Sequence, residues 1–168
     1  VGTKENPSKI TRVGLDGTTI VFYRWGKDGL NETGQPHPKC HAFTPLMREF
    51  AEEAYREIEG ICGKKIRFYN MDALADMDKA YFISQGITVP DAPDSVFSYQ
   101  DDLRDPNGRS ISGLADYPRA NDSEASRAVI IDGELVRNSD RQVYREILKR
   151  TIHHEIGHSV GLGHSFHP

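Results

Sequence analysis

Three histidines and one glutamate near the C-terminus have the residue types and the spacing of a catalytic metal site. They are His154, Glu155, His158 and His164, in the pattern H-E-x-x-H-x-x-G-x-x-H. Residues four apart lie on one face of a helix, so His154 and His158 can both reach a single ion. Three imidazoles that leave one coordination position for water are typical of a catalytic rather than a structural zinc site.

The other positions of the pattern predict how the site works. Glu155 is rotated about 100° from His154 around a helix, so we expect it to act on metal-bound water as general base and acid rather than as a ligand. Glycine tolerates positive φ, and Gly161 is therefore expected to end the helix in a sharp turn. That turn would bring His164 to the zinc.

The elements that must position these residues are also indicated by the sequence. Ser139 and Gln142 predict a capping box, followed by apolar residues at helical spacing up to Ile156. A second helix is predicted at 45–59, with Thr44 as N-cap, Pro45 at N1 and Gly60 as its stop. The remaining pattern predicts strands at 18–25, 65–69 and 79–84, and a long loop at 88–110.

The zinc pattern resembles that of the metzincin clan of zinc endopeptidases, and Ser165 after the third histidine is similar to the matrixins. Residues 112–118, with the pair Leu114-Ala115, resemble the matrixin edge strand, and residues 128–134 resemble the strand that follows it. The resemblance implies an α+β, zincin-like layered fold with a five-stranded mixed twisted sheet, two long helices and an active-site helix near the C-terminus. It also implies endopeptidase activity on extended polypeptides, which the backbone of Leu114 and Ala115 would bind.

The sequence departs from the family pattern at two places. The clan has a methionine turn after the third histidine, whereas Met47, Met71 and Met77 all precede it here. We therefore expect residues 1–168 to be one catalytic domain without the C-terminal subdomain. Asp116 stands where a ligand of the family's structural zinc is expected, so we predict one zinc only. The alternatives are another metzincin family, or a truncated, inactive domain that binds zinc and peptide.

Acidic residues near the long loop suggest a second kind of ion. Calcium prefers oxygen ligands, and Asp105 occurs in a stretch that loosely resembles a matrixin calcium loop. Asp132 and Glu134 fall where that family places acidic calcium ligands. The alternative is a solvated acidic loop, which is a common surface feature.

Composition narrows the partners and the setting. The 168 residues carry a net charge of −4 without a strongly basic run, which argues against nucleic acid and membrane partners. The chain begins at Val1 rather than methionine, and we expect a secreted monomer whose upstream segment was removed. Cys40 and Cys62 flank the first helix; a disulfide is compatible with secretion, but requires nearly extended chain on both sides of the helix, so both states stay open.

Overall fold

A mixed β-sheet of six strands forms the centre of the molecule. The computed structural model describes residues 12–63, 65–116 and 126–161. The strands are β1 Thr19–Trp25, β2 Cys40–Ala42, β3 Ile66–Asn70, β4 Ser95–Gln100, β5 Gly113–Ala115 and β6 Arg127–Asp132. Their order is β3-β1-β4-β6-β5, and β2 pairs with β4 outside this path. Only β2 and β5 run antiparallel to their partners, so the sheet is mixed, with one strand more than the predicted five.

Four helices occur in the described residues: α1 Pro45–Ile61, α2 Asp76–Ser84, α3 Gly133–Arg137 and α4 Gln142–Ser159. The two long ones, α1 and α4, cover one face of the sheet. The buried side chains between these layers include Val21, Phe97 and Val129 from the strands and Met47 and Ile152 from the helices. Full burial of such a side chain stabilises the fold by about 1.5–3 kcal/mol. This core fixes α4 against the sheet.

The first long helix begins as predicted. Thr44 is its N-cap, and the Thr44 hydroxyl accepts a hydrogen bond from the backbone N–H of Met47 at 3.3 Å. Pro45 stands in the first turn, where no intrahelical N–H is needed. The helix continues one residue past Gly60, and the glycine with positive φ is Gly63, at +59°.

The opposite face of the sheet is covered by α2, where the sequence predicted a strand at 79–84. That prediction was wrong. Asp78 accepts a hydrogen bond from the backbone N–H of Ala75 at 3.0 Å, and Asp76 and Asp78 both lie in the first helical turn. Acidic groups there interact favourably with the helix dipole. Phe82 is the one fully buried side chain of α2, and it contacts Phe22 edge-on.

The predicted loop at 88–110 contains the central strand β4, so that prediction was also wrong. Ser95 and Ser98 are buried in β4 together with Val96 and Phe97, because neighbouring strands and helices enclose the strand on both faces. Polar residues inside it removed the continuous apolar run that usually marks a buried strand. The true loop is shorter and includes a turn in which Gly108 N donates to Asp105 O at 3.0 Å.

The outer edge of β3 is covered by a side chain from α1. Lys65 O and Met71 N bond to β1, so the alternate residue Phe68 directs its backbone away from β1. Glu59 Oε2 accepts a hydrogen bond from that Phe68 N–H at 3.0 Å. This donor is therefore not available to an added strand.

The two cysteines are free thiols. Cys40 is buried in β2, whereas Cys62 lies at the C-terminal end of α1 and is half-buried. Burial raises the pKa of the Cys40 thiol. The disulfide alternative is thus not the state of this structure.

Candidate active site

The helix α4 carries the first part of the histidine pattern, but it begins differently from the prediction. Its N-cap is Arg141, which provides no capping side chain. The Ser139 hydroxyl donates instead to Val136 O at 2.8 Å, and the Gln142 amide donates to Glu146 at 2.9 Å. The predicted capping box is therefore absent, because both of its members bond elsewhere.

Two faces of α4 hold it in place. Leu148, Ile152 and Ile156 are fully buried in the core. Next to them, His153 Nδ1 lies 3.4 Å from Glu57 Oε2 of α1. Burial lowers the pKa of His153, since desolvation outweighs the opposing attraction of Glu57. His153 therefore packs between α4 and α1.

His154 and His158 come together one helical turn apart. Their Nε2 atoms are 2.8 Å apart, and the ring planes are nearly perpendicular, at 84°. Zinc–nitrogen bonds are about 2.0–2.1 Å long, so ideal tetrahedral ligands would be about 3.4 Å apart. A small opening of the two rings would fit one ion between them. The donor set is the imidazole pair that zinc prefers.

Glu155 is enclosed beside this pair. Its residue surface is 7% exposed, and no hydrogen bond to its carboxyl is formed by the residues that the structure describes. Desolvation by burial raises the pKa of Glu155 from 4.5 to about 7. A carboxyl group in this range can both accept and release a proton near neutral pH.

The end of α4 agrees with the role predicted for Gly161. The helix ends at Ser159, Gly161 has a φ of +88°, and its N–H donates to His158 O at 2.9 Å. The sequence thus correctly located the glycine that breaks the helix. His164, the third predicted ligand, lies outside the described residues, as do Ser165 and His167.

A groove runs between α4 and the edge strand β5. It has a volume of about 460 Å³ and is lined by Ser112, Gly113, Ile147, Arg150, Thr151, His154 and Glu155. Five of these residues come from one stripe of α4, at positions three and four apart. The sequence prediction included only His154 and Glu155 among them. The missed helix residues could have been found from their spacing to His154.

Gly113 allows the close approach of β5 to α4. A Cβ at this position would lie 2.8 Å from Cγ of Glu155 and 2.9 Å from Cγ2 of Thr151. Heavy atoms do not normally come this close, so only glycine fits without a shift of the strand or of these two side chains. Gly113 therefore sets the width of the groove next to Glu155.

The pairing of β5 with β6 determines which backbone groups remain on its outer side. Asp132 N donates to Ser112 O at 2.8 Å, and Asp116 N donates to Ala128 O at 3.1 Å. Hydrogen-bonded and non-hydrogen-bonded pairs alternate along an antiparallel ladder. The even-numbered residues of this segment consequently direct their backbone toward β6.

The two predicted substrate-binding residues are therefore not equivalent. Leu114 is paired with Ile130, and its backbone faces β6. Gly113 and Ala115 direct their N–H and C=O groups to the outer side of β5. Of the predicted pair, Ala115 has outward backbone groups, as does Gly113, which the prediction did not include.

The candidate calcium residues lie in three different settings. Asp105 Oδ1 accepts from the backbone N–H groups of Asn107 and Arg109, both at 2.9 Å. Asp132 Oδ1 accepts from Leu103 N at 3.2 Å, and Glu134 is exposed in the first turn of α3. Each aspartate thus uses its Oδ1 atom as an acceptor for backbone N–H groups.

Asp116, where the family's structural zinc ligand was expected, has a local role. Asp116 Oδ2 accepts a hydrogen bond from Ala128 N at 3.0 Å and so closes the end of the β5–β6 pair. His41 of β2 is half-buried, and its Nε2 atom lies 2.8 Å from Asp101 Oδ2.

Comparisons with known proteins assign no family to this chain, so the site is interpreted from its own geometry. No protein-family model matches the chain, and no curated protein matches its sequence. Within residues 12–63, 65–116 and 126–161, no group of three His, Cys, Asp or Glu side chains could hold a metal ion. Those same ranges contain no helix that is both long enough and apolar enough to cross a bilayer.

Proposed function

We propose that this chain is the catalytic domain of a zinc-dependent endopeptidase of the metzincin clan, similar to the matrixins. The observation that carries the proposal is the convergence of His154 and His158 Nε2 at 2.8 Å beside the enclosed Glu155. All of this lies next to a groove along an antiparallel edge strand. Polypeptides outside the cell are the proposed substrates.

The residues present fit a zinc ion. His154 and His158 would hold it, and His164 would be the third ligand according to the sequence pattern. A zinc ion bound by three imidazoles lowers the pKa of its water to about 7 and polarises the peptide carbonyl. Calcium binding near Asp105, Asp132 and Glu134 is a separate prediction.

Glu155 would move the proton in this reaction. Its carboxylate takes a proton from the attacking water, and the resulting acid gives that proton to the leaving amine. The low exposure of Glu155 supports this role, because exclusion of bulk water strengthens the interaction of the carboxyl group with the reacting groups.

The edge strand β5 would hold the substrate in an extended form. A peptide can add to an exposed sheet edge through its main chain, and Gly113 and Ala115 present the outward backbone groups. At the other edge of the sheet, the Glu59 carboxylate accepts a hydrogen bond from the outward N–H of Phe68 in β3. Strand addition is therefore favoured on the side of the sheet that borders the groove.

The test combines metal binding with proteolysis. We expect the purified chain to bind one zinc per molecule and to cleave an unfolded protein at neutral pH. Glu155→Gln should retain the zinc and lose cleavage, whereas His154→Ala should lose both. A matched control is Glu146→Gln, which changes an exposed glutamate of the same helix.

The outcomes separate the proposal from its rivals. Retention of cleavage by Glu155→Gln would refute the role of Glu155. One bound zinc with peptide binding but no cleavage would identify an inactive binding domain. Absence of zinc binding at micromolar metal would reject the metal site itself.

A further inference from the structure

Arg150 is a basic side chain on the groove face of α4. It is exposed, and it lines the groove together with Ile147, Thr151 and His154. No ion pair, hydrogen bond or ring contact involves its guanidinium among the residues that the structure describes. A guanidinium presents several donors in a planar fork that matches a carboxylate.

The other basic residues of this helical region contrast with Arg150. Arg145 Nε donates to Ser139 O at 3.0 Å, and Lys149 Nζ lies 3.4 Å from Glu53 Oε2. The guanidinium of Arg141 lies over the ring of Tyr144, 5.1 Å from its centre. Each of these cations contacts the protein itself, and none of them is among the described residues that line the groove.

The position of Arg150 relates it to the bond that would be cut. Arg150 precedes His154 by four residues, which is about 6 Å along the helix axis. One residue of an extended peptide spans about 3.3 Å. A substrate side chain within about two residues of the cleaved bond can therefore lie against Arg150.

The lining of the groove favours an acidic side chain there. Ile147 and the Thr151 methyl group provide apolar contact for the short stem of Asp or Glu. Among the lining residues that the structure describes, the one acidic residue is Glu155, which lies beyond His154 in the direction away from Arg150. A carboxylate beside Arg150 thus gains an ionic partner and is separated from the acidic residue.

We propose that Arg150 makes the groove select polypeptides with an acidic residue close to the cleaved bond. This inference rests on the proposed endopeptidase function and adds a substrate class to it. Arg150 acts on specificity and takes no part in the proton transfers.

The test uses peptides that are identical except for Asp, Asn or Lys, placed at each central position in turn. At the position next to Arg150, we expect the Asp peptide to exceed the Asn peptide about two- to fivefold in kcat/KM, as for an exposed charge pair. The preference should disappear in Arg150→Gln, reverse toward Lys in Arg150→Glu, and weaken with added salt. Lys149→Gln is the control, since it removes the same charge from the α1 side of the helix.

Binding is measured in parallel, so that the two proposals can fail separately. Zinc-loaded Glu155→Gln is titrated with the same labelled peptides by fluorescence anisotropy. Selective binding of Asp peptides without cleavage by the native chain would support the groove specificity and reject the endopeptidase. Cleavage without charge preference, or a preference unchanged in Arg150→Gln, would overturn the role of Arg150, and so would failure to bind any of the peptides.

Discussion

Replacing Glu155 with glutamine is expected to remove a pH-dependent loss of stability from the metal-free protein. Burial raises the pKa of the folded carboxyl from 4.5 to about 7. The folded state therefore binds the proton more tightly than the unfolded state does. As pH rises from about 4.5 to about 7, the unfolded chain loses this proton first, and the free energy of unfolding falls.

The magnitude follows from the two pKa values. At about 1.4 kcal/mol per pKa unit, the full loss is about 3 kcal/mol, and about 2.5 kcal/mol of it falls between pH 5 and pH 8. Glutamine has a similar shape and no ionisable proton, so the variant should lack this component. Urea unfolding of both proteins with a chelator at these two pH values measures the difference.

Two further measurements make the reasoning refutable. Glu146→Gln, at an exposed position of the same helix, should retain the pH dependence of the native chain. Zinc should reduce the dependence, since a cation next to the carboxyl favours its charged form. Equal pH dependence in the native chain and in Glu155→Gln would show that Glu155 is not the buried acid we describe.

Three other substitutions test residues that support the site and the sheet. Gly161→Ala places a side chain at a φ of +88° and should destabilise the fold by about 1–2 kcal/mol. It should also lower the zinc affinity measured in a competition titration, and an unchanged affinity would contradict the role of this turn. Gly113→Ala should push β5 away from α4 and reduce peptide cleavage at least tenfold while zinc stays bound; full activity would show that this contact is not limiting. Asp94→Asn weakens the contacts of this carboxylate to Arg12 at 2.7 Å and to Phe22 N at 2.9 Å. It should lower the free energy of unfolding, measured by urea denaturation, by about 1–3 kcal/mol. A change within experimental error would mean that solvent replaces both contacts.

Sequence spacing predicted the parts of the site that depend on one helix. His154 and His158 share a face because of the helical repeat, and Gly161 is where a left-handed conformation is needed. These are local properties of a short segment, and no knowledge of the rest of the chain is required for them.

The failures concern segments whose structure depends on distant partners. β4 contains buried serines because neighbouring strands lie beside it and helices cover both faces of the sheet. No local sequence pattern reveals these distant contacts. α2 is short and is anchored mainly by Phe82, so the pattern of its apolar residues fits a strand as well as a helix. The groove was missed for the same reason, since Gly113 meets α4 only after the sheet has formed.

The hydrogen bond from Phe68 N to Glu59 has a consequence for self-association. A sheet grows into a filament only if both of its edges accept strands, because each added copy must offer a new edge to the next. Here one edge has its central donor occupied by the protein's own carboxylate. Growth beyond two copies through β3 would consequently have to displace this hydrogen bond, and a bound peptide would compete directly with pairing through β5.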